Sequence, residues 1–111
     1  MINRLLCPPA NKEPVKVARV MHYLYEAGSL NRFEAAYKLH DTCLNSTIST
    51  IRNLHKIPIE SRSESIKGYQ DLPTICSRYW LSRSSAIREI VYWVLVKKYG
   101  YIPLTDDKPA A

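Results

Sequence analysis

NRFEAAYKLHDTCLNSTISTIRNLHKIPI, residues 31–59, contains two helix starts, one break and one helix stop. Asn31 followed three residues later by Glu34 is a capping box, in which each side chain accepts from the other residue's backbone amide. It predicts a helix from Arg32 to about Leu39, with Phe33, Ala36, Tyr37 and Leu39 as its apolar side. His40-Asp41-Thr42-Cys43 breaks the period, and Asn45 or Ser46 then offers an oxygen cap for a third helix reaching about Lys56. At ~100° per residue this helix places Leu44, Ile48, Ile51 and His55 on one side and Ser46, Ser49, Thr50, Asn53 and Lys56 on the other. Thr47 and Leu54 flank the apolar side, and Arg52 lies near the opposite edge. Pro58 disfavours helical geometry at Ile57 and stops the helix there.

Downstream, Ile59 to Arg62 alternates as a strand, and a second strand is expected over Ile75 to Leu81. Glu64 to Pro73 reads as a polar connection between them. Ser84 or Ser85 caps a last helix through Tyr99, followed by Gly100, and every residue from Ile90 to Val96 is apolar. That run is far short of the ~20 residues that span a bilayer, so no membrane association is expected. Upstream, Glu13-Pro14 starts a first helix that runs to Ala27, with Val17, Val20, Met21 and Leu24 on one face and Gly28 just past its end. The expected order is thus α-α-α-β-β-α: a mainly α protein with a small β-hairpin, a winged helix-turn-helix with a long apolar C-terminal helix. Residues 1–12 are expected to form an N-terminal arm and 13–82 the winged domain. Residues 83–100 form the last helix, packed on the domain and dimerising, and 101–111 a flexible tail, frayed from Thr105 onward.

The chain of 111 residues suits one hydrophobic core. Its net charge of +6 favours a polyanionic partner. Residues 45–98 carry nine basic against four acidic side chains, so the positive balance gathers from the third helix onward. Cys7, Cys43 and Cys76 are odd in number and show no C-x-x-C pairing, which argues against disulfides and structural zinc and for a reducing cytoplasm. No export signal is visible before Pro8-Pro9. Neither a Gly-rich nucleotide loop, an HExxH helix nor a G-x-S-x-G elbow occurs. No enzyme activity, cofactor or metal is expected.

The outer side of the third helix holds short hydrogen-bonding groups and no carboxylate from Leu44 to Ile59. Ser and Thr are mediocre helix formers, so a merely solvated face would be better served by Ala, Glu or Lys. Such groups fit a major groove about 12 Å wide. The expected DNA-binding residues are Asn45, Ser46, Thr47, Ser49, Thr50, Arg52, Asn53 and Lys56, with Asn53 the best reader of adenine. Arg62, Lys67 and Arg78 would meet phosphates from the wing, helped by Tyr69 and Tyr79.

On these residues the chain resembles the small winged helix-turn-helix proteins of phages, prophages and other bacterial mobile elements. The likeness rests on Arg32-Phe33-Glu34-Ala35-Ala36, Leu44 to Arg52, Ile57-Pro58-Ile59 and Tyr79-Trp80-Leu81. It implies double-stranded DNA as the partner, Asn45 to Arg52 as the reading segment, and transcription regulation as the role. Lys56 departs from the pattern, standing where a Gly often precedes the Ile-x-Ile strand.

The last helix should bury Ile87, Ile90, Val91, Val94 and Leu95, leaving Tyr92, Trp93 and Val96 for a homodimer interface unless Ile2 to Leu6 folds back over them. The same residues admit two alternatives. One is a winged-helix module that binds a host or element-encoded protein, and the other a DNA-bending excision or architectural factor.

Overall fold

Helix formation starts where an amphipathic stripe finds a core. In the computed structural model, which describes residues 5–10 and 12–104, α1 (Lys16–Glu26) buries Ala18, Val20, Met21, Leu24 and Tyr25. It begins two residues after Pro14, whose carbonyl accepts from Arg19 Nη1 at 2.7 Å. Gly28, at φ +109°, turns the chain out of α1 in a conformation that costs glycine nothing.

The chain then forms β2 (Ser29–Asn31) and passes without a linker into α2 (Arg32–Leu39). Asn31 is at once the last strand residue and the helix cap. Its Oδ1 accepts from the Glu34 amide at 2.9 Å, and Glu34 Oε1 accepts from the Asn31 amide at 3.2 Å. Of α2, only Ala35 is fully buried; Phe33 and Tyr37, expected on the apolar side, are exposed. His40 closes α2 in the left-handed conformation.

A four-residue turn leads to α3 (Leu44–Leu54), which buries Leu44, Thr47, Ile48 and Ile51. Its cap is not Asn45 or Ser46. Cys43 is the capping position, and the fully buried Asp41 carboxylate takes the Cys43 amide at 2.9 Å and the Thr47 hydroxyl at 2.6 Å. A buried carboxylate is stable only when hydrogen-bonded in this way.

Beyond Pro58, β3 (Ile59–Lys67) and β4 (Pro73–Leu81) pair antiparallel in register from Ile59 opposite Leu81 to Lys67 opposite Pro73. The polar connection expected over Glu64 to Pro73 is therefore strand as far as Lys67 and again at Pro73, closed by a 3₁₀ turn at Tyr69–Asp71. β2 adds to the free side of β4, giving the order β2-β4-β3. α4 (Ser85–Lys97) returns to pack on α1, and β1 (Leu5–Cys7) pairs with β5 (Ile102–Leu104) as a second sheet.

The winged helix-turn-helix expectation, mainly α with one small hairpin and a long apolar last helix, is overturned. Among the described residues there are four helices and five strands in two sheets, a mixed α/β topology. The strands β1, β2 and β5 have three residues each, too few to show an alternating period, and β2 is hidden beneath the cap of α2. α4 has 13 residues and buries only Val91, Tyr92 and Leu95 completely. The arm and tail assignments also change, because Leu5–Cys7 and Ile102–Leu104 pair and Tyr101 is buried. The frayed tail expected from Thr105 lies outside the described residues. No helix among those described is long and apolar enough to cross a membrane.

Arg78, in the middle strand, ties these parts together. Its Nε donates to Glu64 on β3 at 2.9 Å, its Nη2 to Glu34 in the first turn of α2 at 2.9 Å, and its Nη1 to Ser29 on β2 at 2.9 Å. Asn31 Nδ2 completes the ring by donating to Glu64 at 2.7 Å. Arg78→Met should lower the unfolding free energy by about 1–3 kcal/mol in urea titrations at neutral pH, because two carboxylates lose their shared donor. The Arg78 hydrogen bonds hold the carboxyls of Glu34 and Glu64 below the ordinary 4.5. As pH falls the unfolded chain protonates these groups first, so the contribution of the ring is complete above 4.5 and lost below it. Melting temperatures between about pH 6 and pH 3 should fall more steeply in the parent than in Arg78→Met; parallel slopes would assign the acid sensitivity elsewhere.

Candidate nucleic-acid interface

Two contacts fix α3 against the hairpin. Arg52 Nε donates to the Ile59 carbonyl at 3.2 Å, its Nη2 binds the same oxygen, and the guanidinium lies 5.9 Å from the Tyr79 ring centroid. At the other end of the helix, the Tyr79 hydroxyl donates to Asn45 Oδ1 at 2.8 Å. A helix anchored at both ends presents its free side in one orientation.

That free side consists of Asn45, Ser46, Ser49 and Asn53, with Lys56 just past the helix end, all exposed; the helix stops at Leu54, two residues short of the expected Lys56. Side chains of Ser46, Ser49, Asn53 and Lys56 make no hydrogen bond to another described residue, so their donors and acceptors are open to a partner. Thr50 is half-buried and donates back to the Ser46 carbonyl at 3.1 Å, a bond that leaves its hydroxyl oxygen as an acceptor. No carboxylate lies on α3.

Thr47 does not belong to this surface. It is 5% exposed, and its hydroxyl is committed to Asp41. The period had placed it at the edge of the apolar side, and the buried carboxylate of Asp41 draws it inward. Arg52 is exposed, and its Nε and Nη2 are turned onto the Ile59 carbonyl.

The hairpin separates the three cations expected on it. Side chains alternate across a strand, and Tyr79 and Leu81 point into the core with their register partners Ser61 and Ile59 on the same side. Lys67 shares that parity, near the tip and exposed. Arg62 and Arg78 face one another across β3 and β4 on the reverse side, and Arg78 is spent on Glu34 and Glu64. A phosphate contact from Arg78 is therefore corrected to a structural ion pair. Tyr79 is buried with its hydroxyl on Asn45, and the Tyr69 side chain lies outside the described residues.

On α4 the expected interface divides as well. Tyr92 is 5% exposed and meets the Tyr25 ring at a tilt and the Trp93 ring edge-on, so it belongs to the core, whereas Ile90, expected inside, is 45% exposed. Trp93 is 43% exposed and Val96 half-buried. The segment Ile2 to Leu6, proposed as a cover, lies outside the described residues as far as residue 4. Its described end holds to α1 instead, where the Leu6 amide donates to Glu26 at 2.8 Å and the Leu6 carbonyl meets His22 Nε2 at 3.0 Å.

No protein-family model, curated protein or solved structure matches the chain. Geometry and charge are what bear on function.

Three residues not singled out from the sequence prove to matter. Asp41, in the turn that breaks the period between α2 and α3, positions α3, and its pairing with Thr47 follows no local spacing rule. Arg83 and Arg88 flank the start of α4 and join Arg62 and Trp80 around a cleft on the reverse face of the sheet. Nothing in the local pattern distinguished them from solvated charges.

Lys56 sits at φ +58°, closing α3 with the Ile57 amide donating to the Ile51 carbonyl at 3.4 Å. A side chain is strained in that conformation and glycine is not. Lys56→Gly should stabilise the fold by roughly 0.5–1 kcal/mol in denaturant titrations, after allowing for glycine's greater freedom in the unfolded chain. An unchanged or lower midpoint would show that the lysine stem contributes packing that outweighs its strain.

Proposed function

We propose that the protein binds double-stranded DNA sequence-specifically, with α3 in the major groove and the hairpin tip beside the backbone, and acts as a regulator of transcription. The observation that carries this reading is the free side of α3: exposed amide, hydroxyl and ammonium groups without a carboxylate, on a helix pinned at both ends. A preset helix orders few groups on binding, and this lowers the entropic cost of docking. Asn53, with a carboxamide free of intramolecular bonds, is the base reader, pairing bidentately with adenine. Ser46 and Ser49 contact bases or phosphates, and Lys56 and Lys67 neutralise phosphates at the two margins. The positive net charge supports the long-range attraction.

Asn53→Ala should cost about 1–3 kcal/mol on a site selected from random duplexes and relax preference at one or two base pairs. Lys67→Ala should weaken all duplexes alike and reduce the salt slope by roughly one counterion. Binding by both variants that matches the parent at every salt concentration would refute the assignment.

The exposed face of α4 supports self-association. Trp93 lies between Glu89, which accepts its indole N–H at 2.9 Å, and Lys97, whose Nζ is 5.6 Å from its ring centroid. A two-fold antiparallel pairing of α4 helices would bury Trp93 and Ile90 and bring Glu89 of one copy toward Lys97 of the other. Each well-buried side chain contributes roughly 1.5–3 kcal/mol before association costs. Two α3 helices would then read half-sites about 34–36 Å apart or a multiple of that. Sedimentation at tens of micromolar should show a parent dimer and a Trp93→Glu monomer; a monomeric parent removes the dimer without touching DNA binding by α3.

A further inference from the structure

The reverse face of β4 opens into a cleft of about 650 Å³, within the range of small-ligand sites. Its walls include Arg62, Arg78, Arg83, Arg88, Trp80 and Ser82, and no carboxylate. Two of the arginines are fixed from within. Arg78 is held by Glu34 and Glu64, and Arg88 donates to the Tyr25 carbonyl with its guanidinium 4.7 Å from the Tyr25 ring centroid. The other two, Arg62 and Arg83, are exposed and make no hydrogen bond or ion pair with a described residue. Glu34 and Glu64 already neutralise Arg78, and Glu64 also acts on Arg62, so the positive charge left open to an anion is chiefly that of Arg83 and Arg62.

α4 begins just beyond Arg83, and its first turn has no acidic residue to offset that charge. Trp80 is half-buried, and its indole N–H donates to Glu60 at 2.9 Å, which sets the ring as a fixed aromatic wall. A fixed aromatic wall beside unpaired guanidinium groups matches a ligand that joins a planar ring to an anionic group.

We propose that this cleft binds a nucleoside phosphate, with the phosphate on Arg62 and Arg83 and the base against Trp80. The site is on the opposite face of the sheet from α3, so it stands or falls independently of DNA reading by that helix.

The chain has two tryptophans, Trp80 and Trp93, and hence two indole N–H resonances in the nitrogen-15-labelled protein. Titration with the common nucleoside monophosphates should move the Trp80 indole saturably for at least one of them and leave Trp93 in place. The unphosphorylated nucleoside and inorganic phosphate should each bind at least about tenfold more weakly. The double variant Arg62→Ala with Arg83→Ala should lose at least about tenfold in affinity while keeping the parent's melting temperature, since neither side chain holds another part of the fold. The proposal is overturned if no monophosphate shifts Trp80 up to ~10 mM, if inorganic phosphate binds as well as the nucleotide, or if the double variant binds unchanged. A duplex that shifts Trp80 where mononucleotides do not would also overturn it, assigning the cleft to the DNA backbone.

Discussion

The hydrogen-bonded ring around Arg78 is the constraint on which the rest of the structure depends. One guanidinium on the central strand reaches β2, β3 and the first turn of α2, all remote from Arg78 in sequence. A planar fork of five donors can serve two carboxylates and a hydroxyl at once, which a lysine ammonium cannot match in geometry. Glu34 has two duties in this ring: it caps the Asn31 amide and it accepts from Arg78. The angle at which α2 leaves the sheet is therefore set by the same side chains that begin the helix.

From that fixed point the orientation of α3 follows in steps. α2 ends at a left-handed His40, and Asp41 turns inward to hold Cys43 and Thr47. Tyr79 and Arg52 then hold the two ends of α3 against the hairpin. Each joint is a hydrogen bond between a side chain and another element, so the free side of α3 is presented by a rigid frame. Rigidity of this kind suits the proposed readout, in which base-edge donors and acceptors have to meet their partners within a few tenths of an ångström.

The two faces of β4 divide the charge of the protein. Toward the core, Tyr79 and Leu81 carry the packing, and Tyr79 ends on α3. On the reverse face Arg78 and Trp80 alternate with them and meet Arg62, Arg83 and Arg88. Strand alternation thus separates two basic surfaces that a count of charges along the chain combines into one. On α4 the same kind of separation leaves Ile90 and Trp93 outside while Val91, Tyr92 and Leu95 enter the core.

Local signals in the sequence determined the starts and ends of the helices wherever the physics is local. The Asn31 and Glu34 pair announces α2 because a capping box needs only four consecutive residues, and Pro58 announces the end of α3 because its steric effect acts on one neighbour. The polar side of α3 was legible for the same reason, since helical period is a property of the segment itself. Tertiary structure alone decided the mixed α/β topology, because three-residue strands carry no period and exist only through partners such as Tyr79 for Leu30 and Pro103 for Leu6. It also decided which cations are free. Arg78 and Arg62 look alike in sequence, yet one is hydrogen-bonded to Glu34 and Glu64 while the other is exposed and makes no hydrogen bond with a described residue, a difference set by long-range register. The same holds for Thr47 and Tyr92, drawn inward by Asp41 and Tyr25, because burial depends on what the rest of the chain brings opposite a side chain.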